Sequence, residues 1–128
     1  MTATLITISI ITSFLSGFSK AICDLSEDGK LKFYKKTYWI KAFSWQNKYK
    51  NGDKKQGEKF FGSSRWFVLF TDAWHLFGLL FRSFYAKAYI CVGMLISINI
   101  WYSFGALVVY IIFATTFHIF HSYKILRK

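Results

Sequence analysis

The chain has no proline, two cysteines in 128 residues, and six acidic side chains against 17 basic ones. Without proline, nothing in the sequence removes a backbone donor in mid-helix, so long helices are permitted. Two cysteines, Cys23 and Cys91, are too few for the disulfide framework of a small secreted domain. No CxxC or zinc-type Cys/His cluster accompanies them. Charge is absent from residues 1–19 and again from residues 88–123, a run of 36. About 18 to 20 apolar residues already signal a membrane span. An ordinary soluble domain and a disordered chain are both excluded by this separation of apolar and charged blocks.

What is present is apolar, aromatic and basic: 54% hydrophobic residues, 22% aromatic, and a net charge of +11. The run Leu5–Leu15 has the apolar core of a signal peptide, but no Lys or Arg precedes it. Nor does a small-x-small cleavage site follow it before Lys20. Residues 3–19 are therefore expected to be a retained span. Positive charge begins after it, which points that end toward the cytoplasm and the N-terminus outside.

A single straight helix through 88–123 would be about 54 Å long, against a hydrocarbon core of roughly 30 Å. A helical hairpin over 86–121 fits better, with its turn between Asn99 and Gly105. Gly93, Ser97, Ser103, Gly105, Ala106 and Ala114 would allow close approach of its backbones. Between span and hairpin, Trp66, Phe67, Phe70, Trp74, Phe77 and Phe81 recur three and four apart. That spacing predicts an amphipathic helix over 63–82, interfacial, re-entrant or spanning. If it does not span, all 17 basic residues lie inside; if it spans ahead of the hairpin, the split is 12 and five. The positive-inside tendency prefers the first.

The expected fold is thus an all-α polytopic membrane protein, a single membrane domain over 1–128. It has an N-terminal span, a basic loop at 20–61, the amphipathic helix, a C-terminal hairpin, and a basic tail at 122–128. Loop and tail face the cytoplasm.

The loop interleaves bases with rings: Lys32, Lys35, Lys36, Trp39, Lys41, Trp45, Lys48 and Lys50 form the candidate surface. Anionic lipid headgroups are its first-ranked partner, since each juxtamembrane base adds about 1 kcal/mol of attraction. A membrane-protein partner or a homo-oligomer ranks second. Nucleic acid ranks last, because no RRM, OB or helix-turn-helix pattern accompanies the rings.

Chemistry points to two other pairs. Asp72 and His75 are three apart, as are His118 and His121, so each pair shares a helical face. If the pairs met, the donor set would suit zinc or iron, and two histidines would suit haem. The ordinary readings are a helix cap for Asp72 and headgroup-level histidines for the other pair. GxSxG, HExxH and a Gly-rich phosphate loop are absent.

The runs Ser44–Asp53, Gly62–Ser64 and Phe70–Phe77 resemble small membrane proteins of Bacteroidota-type bacteria and their phages. The resemblance covers about residues 44–77 and implies no activity, cofactor or site. The leading functional expectation is non-enzymatic, an accessory or scaffold subunit carrying the basic aromatic surface beside the membrane. A metal or haem protein using Asp72, His75, His118 and His121 is the alternative, and a holin-like permeabilising protein the third.

Overall fold

In the computed structural model, which describes residues 1–31, 37–122 and 125–126, the first apolar run forms helix α1 (Thr2–Glu27). It outruns the expected end at residue 19 because Lys20 and Asp24, one turn apart, pair at 2.5 Å and support another turn. It stops at Gly29, which takes the left-handed conformation (φ +66°). There the Gly29 amide donates to Ser26 and the Lys30 amide to Leu25, the paired bonds of a Schellman terminus. A short helix α2 (Ser44–Asn47) and several tight turns make up the connecting cap.

The amphipathic helix expected over 63–82 is not a separate element. Residues 61–67 are turns and a bend, followed by one 3-10 turn at Val68–Phe70. Helix α3 then runs without a break from Ala73 to Ile98. Two local causes account for the difference. Asp72 is extended (φ −156°, ψ 158°), which no helix can pass through, and its side chain accepts the His75 amide as an N-cap. Arg82 and Lys87, which suggested a boundary by their charge, are good helix formers and leave the backbone intact.

Asn99 ends α3, its side chain accepting the Trp101 amide at 3.0 Å. A 3-10 turn at Ile100–Ser103 leads into helix α4 (Phe104–Ser122). The hairpin turn therefore falls inside the expected Asn99–Gly105 window. Together α1, α3 and α4 are three helices long and apolar enough to cross a membrane. The chain is an all-α helical membrane protein in fold. At 26 residues each, α1 and α3 extend about 39 Å, enough to span the core with a turn or more left over.

Helix α1 is the axis of the bundle. It runs antiparallel to α3: Leu5 clusters with Cys91 and Leu95, and the Cys23 thiol reaches the Trp74 carbonyl. It runs parallel to α4: the Ser13 hydroxyl donates to the Val109 carbonyl at 2.5 Å, and Phe18 packs edge-on against Phe120. The cap and the C-terminal end of α4 consequently lie at the same end of the bundle. Half of the most apolar stretch of α1 is buried, against 11% for α4, so α4 offers most of its surface to lipid or a partner.

The contact face of α1 is small and hydroxylated: Ser9, Thr12, Ser13, Ser16 and Gly17 are all buried. Where neighbouring lipid is as apolar as leucine, helices associate through such close backbone approach rather than by hydrophobic burial. The sequence placed that approach in the hairpin, but beside Gly93 no atom lies within 4 Å of where a Cβ would stand. At Gly105 the nearest neighbours, the Val92 methyls, are at an ordinary 3.8 Å. The close approach is at Gly17, where a Cβ would lie 2.6 Å from the Phe113 carbonyl oxygen and 2.9 Å from the Thr116 Cβ.

Gly17→Ala should therefore lower stability in detergent by about 1–3 kcal/mol, because a backbone oxygen must move. Gly93→Ala should leave stability unchanged or raise it by up to about 1 kcal/mol. Thermal unfolding of the two variants beside the wild type checks the pair, and equal effects would place the close approach elsewhere.

Candidate membrane-interface site

The cap is joined to the bundle through the start of α3. The Asp72 carboxylate is fully buried and accepts hydrogen bonds from the Ser44 hydroxyl at 2.6 Å and the Thr71 hydroxyl at 3.1 Å. The His75 amide donates to it at 2.9 Å, and the ring Nδ1 lies 2.8 Å away. Burial alone would push the Asp72 pKa up; the hydrogen bonds from Ser44 and His75 outweigh it and hold the carboxyl below its ordinary value. A carboxylate only accepts, so Nδ1 facing it is the donor.

This order of bonds is not a nucleophile relay. In a Ser–His–Asp triad the serine proton goes to the histidine. Here the Ser44 hydroxyl donates to Asp72 itself, at 2.6 Å, with the His75 ring 3.4 Å from it. Serine and histidine both serve the carboxylate, which locks α2 of the cap to the first turn of α3. A small cavity of about 120 Å³ beside the ring is lined by Cys23, His75, Gly78 and Arg82.

A second clamp joins α1, cap and α3. Glu27 at the end of α1 pairs with Lys41 and accepts the Trp74 indole N–H at 3.3 Å. The Lys41 ammonium sits 4.2 Å from the centre of the Trp74 ring. Trp39 stacks on Phe77 at 6.2 Å, and its carbonyl accepts the Ser26 hydroxyl. Two residues expected on the outward surface, Trp39 and Lys41, thus hold the cap to the bundle. Trp45 and Lys50 are exposed, and Lys48 is half-buried. Lys32, Lys35 and Lys36 lie outside the described residues.

The histidine pairs do not assemble. His121 stacks on Phe117 at 5.1 Å, and His118 Nδ1 lies 3.2 Å from the Ser122 hydroxyl. Among the described residues no group of three or more His, Cys, Asp or Glu side chains is placed to hold a metal ion. Asp72 is instead committed to Ser44, Thr71 and His75.

Beyond Lys48 and Lys50, sequence reasoning missed the outer surface of the cap, the segment from Lys54 to Trp66. Asn51 and Gly52 take left-handed conformations, turning the chain so that the Lys50 amide donates to Gly57 and the Lys59 amide to Lys48. Glu58 then organises the next turn, accepting from the Gly62 amide at 2.8 Å and from the Ser64 hydroxyl. The Ser64 and Gly62 donors hold its pKa below the ordinary value. Ser63 and Ser64 hold this turn, the Ser63 hydroxyl donating to the Lys48 carbonyl at 2.7 Å. Phe61 and Trp66 stand 87% and 79% exposed on it. Trp66 shares the aromatic spacing that predicts a helix over 63–82, but the helix begins only at Ala73.

No protein-family model, curated protein or solved structure matches the chain.

A lowered carboxyl pKa adds stability that is present above the unfolded value, near 3.8, and lost as pH falls through the folded one. The wild type should lose cap stability in that acid window, and Asp72→Asn should lose the share of the acid dependence that Asp72 carries, leaving that of Glu58. At neutral pH Asp72→Asn should cost about 1–3 kcal/mol, since the buried donors lose a charged acceptor. Unfolding followed against pH for both proteins checks this, and parallel acid profiles would remove Asp72 from the account.

Proposed function

We propose that the protein is a small membrane-embedded scaffold or accessory subunit whose cap presents a basic, aromatic face to anionic lipid headgroups. One observation carries the reading. Among the described residues, salt bridges engage only Lys20, Lys30 and Lys41 of the cations, besides the His75–Asp72 pair. Lys48, Lys50, Lys54, Lys55, Lys59 and Arg65 make no such bridge with the described residues, and exposed Trp45, Phe61, Trp66 and Phe70 stand among them. A water-facing cap gains nothing from four large bare rings. An interface accommodates both kinds of group, with rings at the headgroup level and ammonium groups near phosphates.

The bundle supports the same reading. Cap and C-terminal end share one end of it, so the positive-inside tendency puts both in the cytoplasm and the N-terminus outside. The exposed apolar face of α4 suits lipid or a second membrane protein, as an accessory subunit requires.

Full-length protein reconstituted in nanodiscs tests the proposal. Amide exchange over residues 48–66 should be slower with phosphatidylglycerol present than with phosphatidylcholine alone. Added salt should reverse the difference, since exposed charges are screened over about 10 Å at moderate ionic strength. Exchange independent of both lipid and salt would overturn it.

A further inference from the structure

The cap carries a cleft of about 710 Å³, with Tyr49, Lys54, Glu58, Phe61, Arg65 and Trp66 among its lining residues. Its two walls are the 49–58 hairpin and the 61–66 turn, and they are fixed to one another. Glu58 of the first accepts from Gly62 and Ser64 of the second. The Ser63 hydroxyl bonds back to Lys48 at 2.7 Å. Ser63 is fully buried, so this tie is shielded from water.

The electrostatics of the cleft follow from those ties. Its one carboxylate, Glu58, already accepts from the Ser64 hydroxyl and two backbone amides, and those donors, with a smaller pull from the Arg65 charge, hold it ionised. The cations of the cleft, Lys54 and Arg65, form no salt bridge with the described residues and are both exposed. A guanidinium fork and an ammonium lining one cleft are the usual partners of a phosphate. At the rim, Phe61 and Trp66 keep most of their surface bare.

We propose that this cleft is a subsite for the phosphate headgroup of a membrane phospholipid, held by Lys54 and Arg65 with Trp66 and Phe61 against its glycerol and upper chains. The assignment rests on the reading of the cap as a lipid-facing surface and makes it local. The rim argues for a lipid over a free phosphate ester. A water-borne phosphate would satisfy the two cations and leave both rings exposed, whereas a lipid covers them. The position of the cleft, on the cap at the end of three membrane-length helices, puts it within reach of the headgroup layer.

The test uses the full chain in an uncharged detergent, titrated with short-chain phosphatidylglycerol or with glycerol phosphate and followed by tryptophan fluorescence. Trp66→Phe identifies the reporting ring. Saturable binding of the short-chain lipid is expected, with glycerol phosphate much weaker. Lys54→Gln with Arg65→Gln should weaken lipid binding by about 25-fold, taking roughly fivefold for each charge near a phosphate surface. Lys50→Gln with Lys55→Gln removes the same charge from the wider basic surface outside the cleft and should weaken binding clearly less than the cleft pair. Arg65→Lys, which keeps the charge and the fold, should lose part of the affinity with the fork. Equal binding of glycerol phosphate would overturn the lipid assignment. Equal weakening by the two double variants would overturn the subsite while leaving the broader lipid-facing reading intact. Absence of any response to anionic lipid, here and in the nanodiscs, would overturn both.

Discussion

A buried carboxylate next to a membrane helix must be satisfied locally, because neither lipid nor protein interior solvates it. Asp72 meets that demand with the Ser44 and Thr71 hydroxyls, the His75 amide and the His75 ring. Its bonds decide three things together: where α3 begins, how α2 of the cap sits on the bundle, and which nitrogen of His75 donates to it. The outer cap is built outward from that lock, through the tight 49–58 hairpin and the Glu58-centred turn. Had Asp72 been helical, residues 66–81 would have continued as a single amphipathic helix and the cleft would have no second wall.

The bundle follows a different rule. Between membrane-length helices the hydrophobic effect has little to distinguish protein from lipid, so packing is decided by how near two backbones can come. Helix α1 supplies that nearness with Ser13, Ser16 and Gly17, and it alone packs extensively on both other helices. The consequence is an asymmetry of exposure, with α1 inside and α4 largely facing outward. The two ends of the molecule differ accordingly. The bundle is apolar over membrane-length helices, and the cap carries exposed cations and rings.

Residues such as Arg82 and Lys87 show how a charge can be misread. They interrupt an apolar run in a hydropathy pattern, yet arginine and lysine favour helix, and the backbone passes through them unbroken. The aromatic spacing from Trp66 to Phe81 misled in the opposite way. It is helical in period, but only Trp74, Phe77 and Phe81 lie on α3, because the extended backbone at Asp72 divides the series. Trp39 and Lys41 share the composition of their exposed neighbours, so nothing local distinguished a clamp from a surface. Their roles come from Phe77, Trp74 and Glu27, which lie far along the chain.

By itself the sequence determined the class of the protein, since uncharged apolar runs of this length have only a membrane to occupy. It also determined where the hairpin turns, since Asn99 carries the local chemistry of a terminus. Only the tertiary structure decided which polar groups are spent and which remain available. Whether a lysine is clamped like Lys41 or left facing a cleft like Lys54 depends on carboxylates and rings brought close by folding. So too with the histidines, which share a spacing in sequence but belong to separate environments in space. Local propensity acts over a few residues, and electrostatic pairing acts between whatever the packed helices bring together.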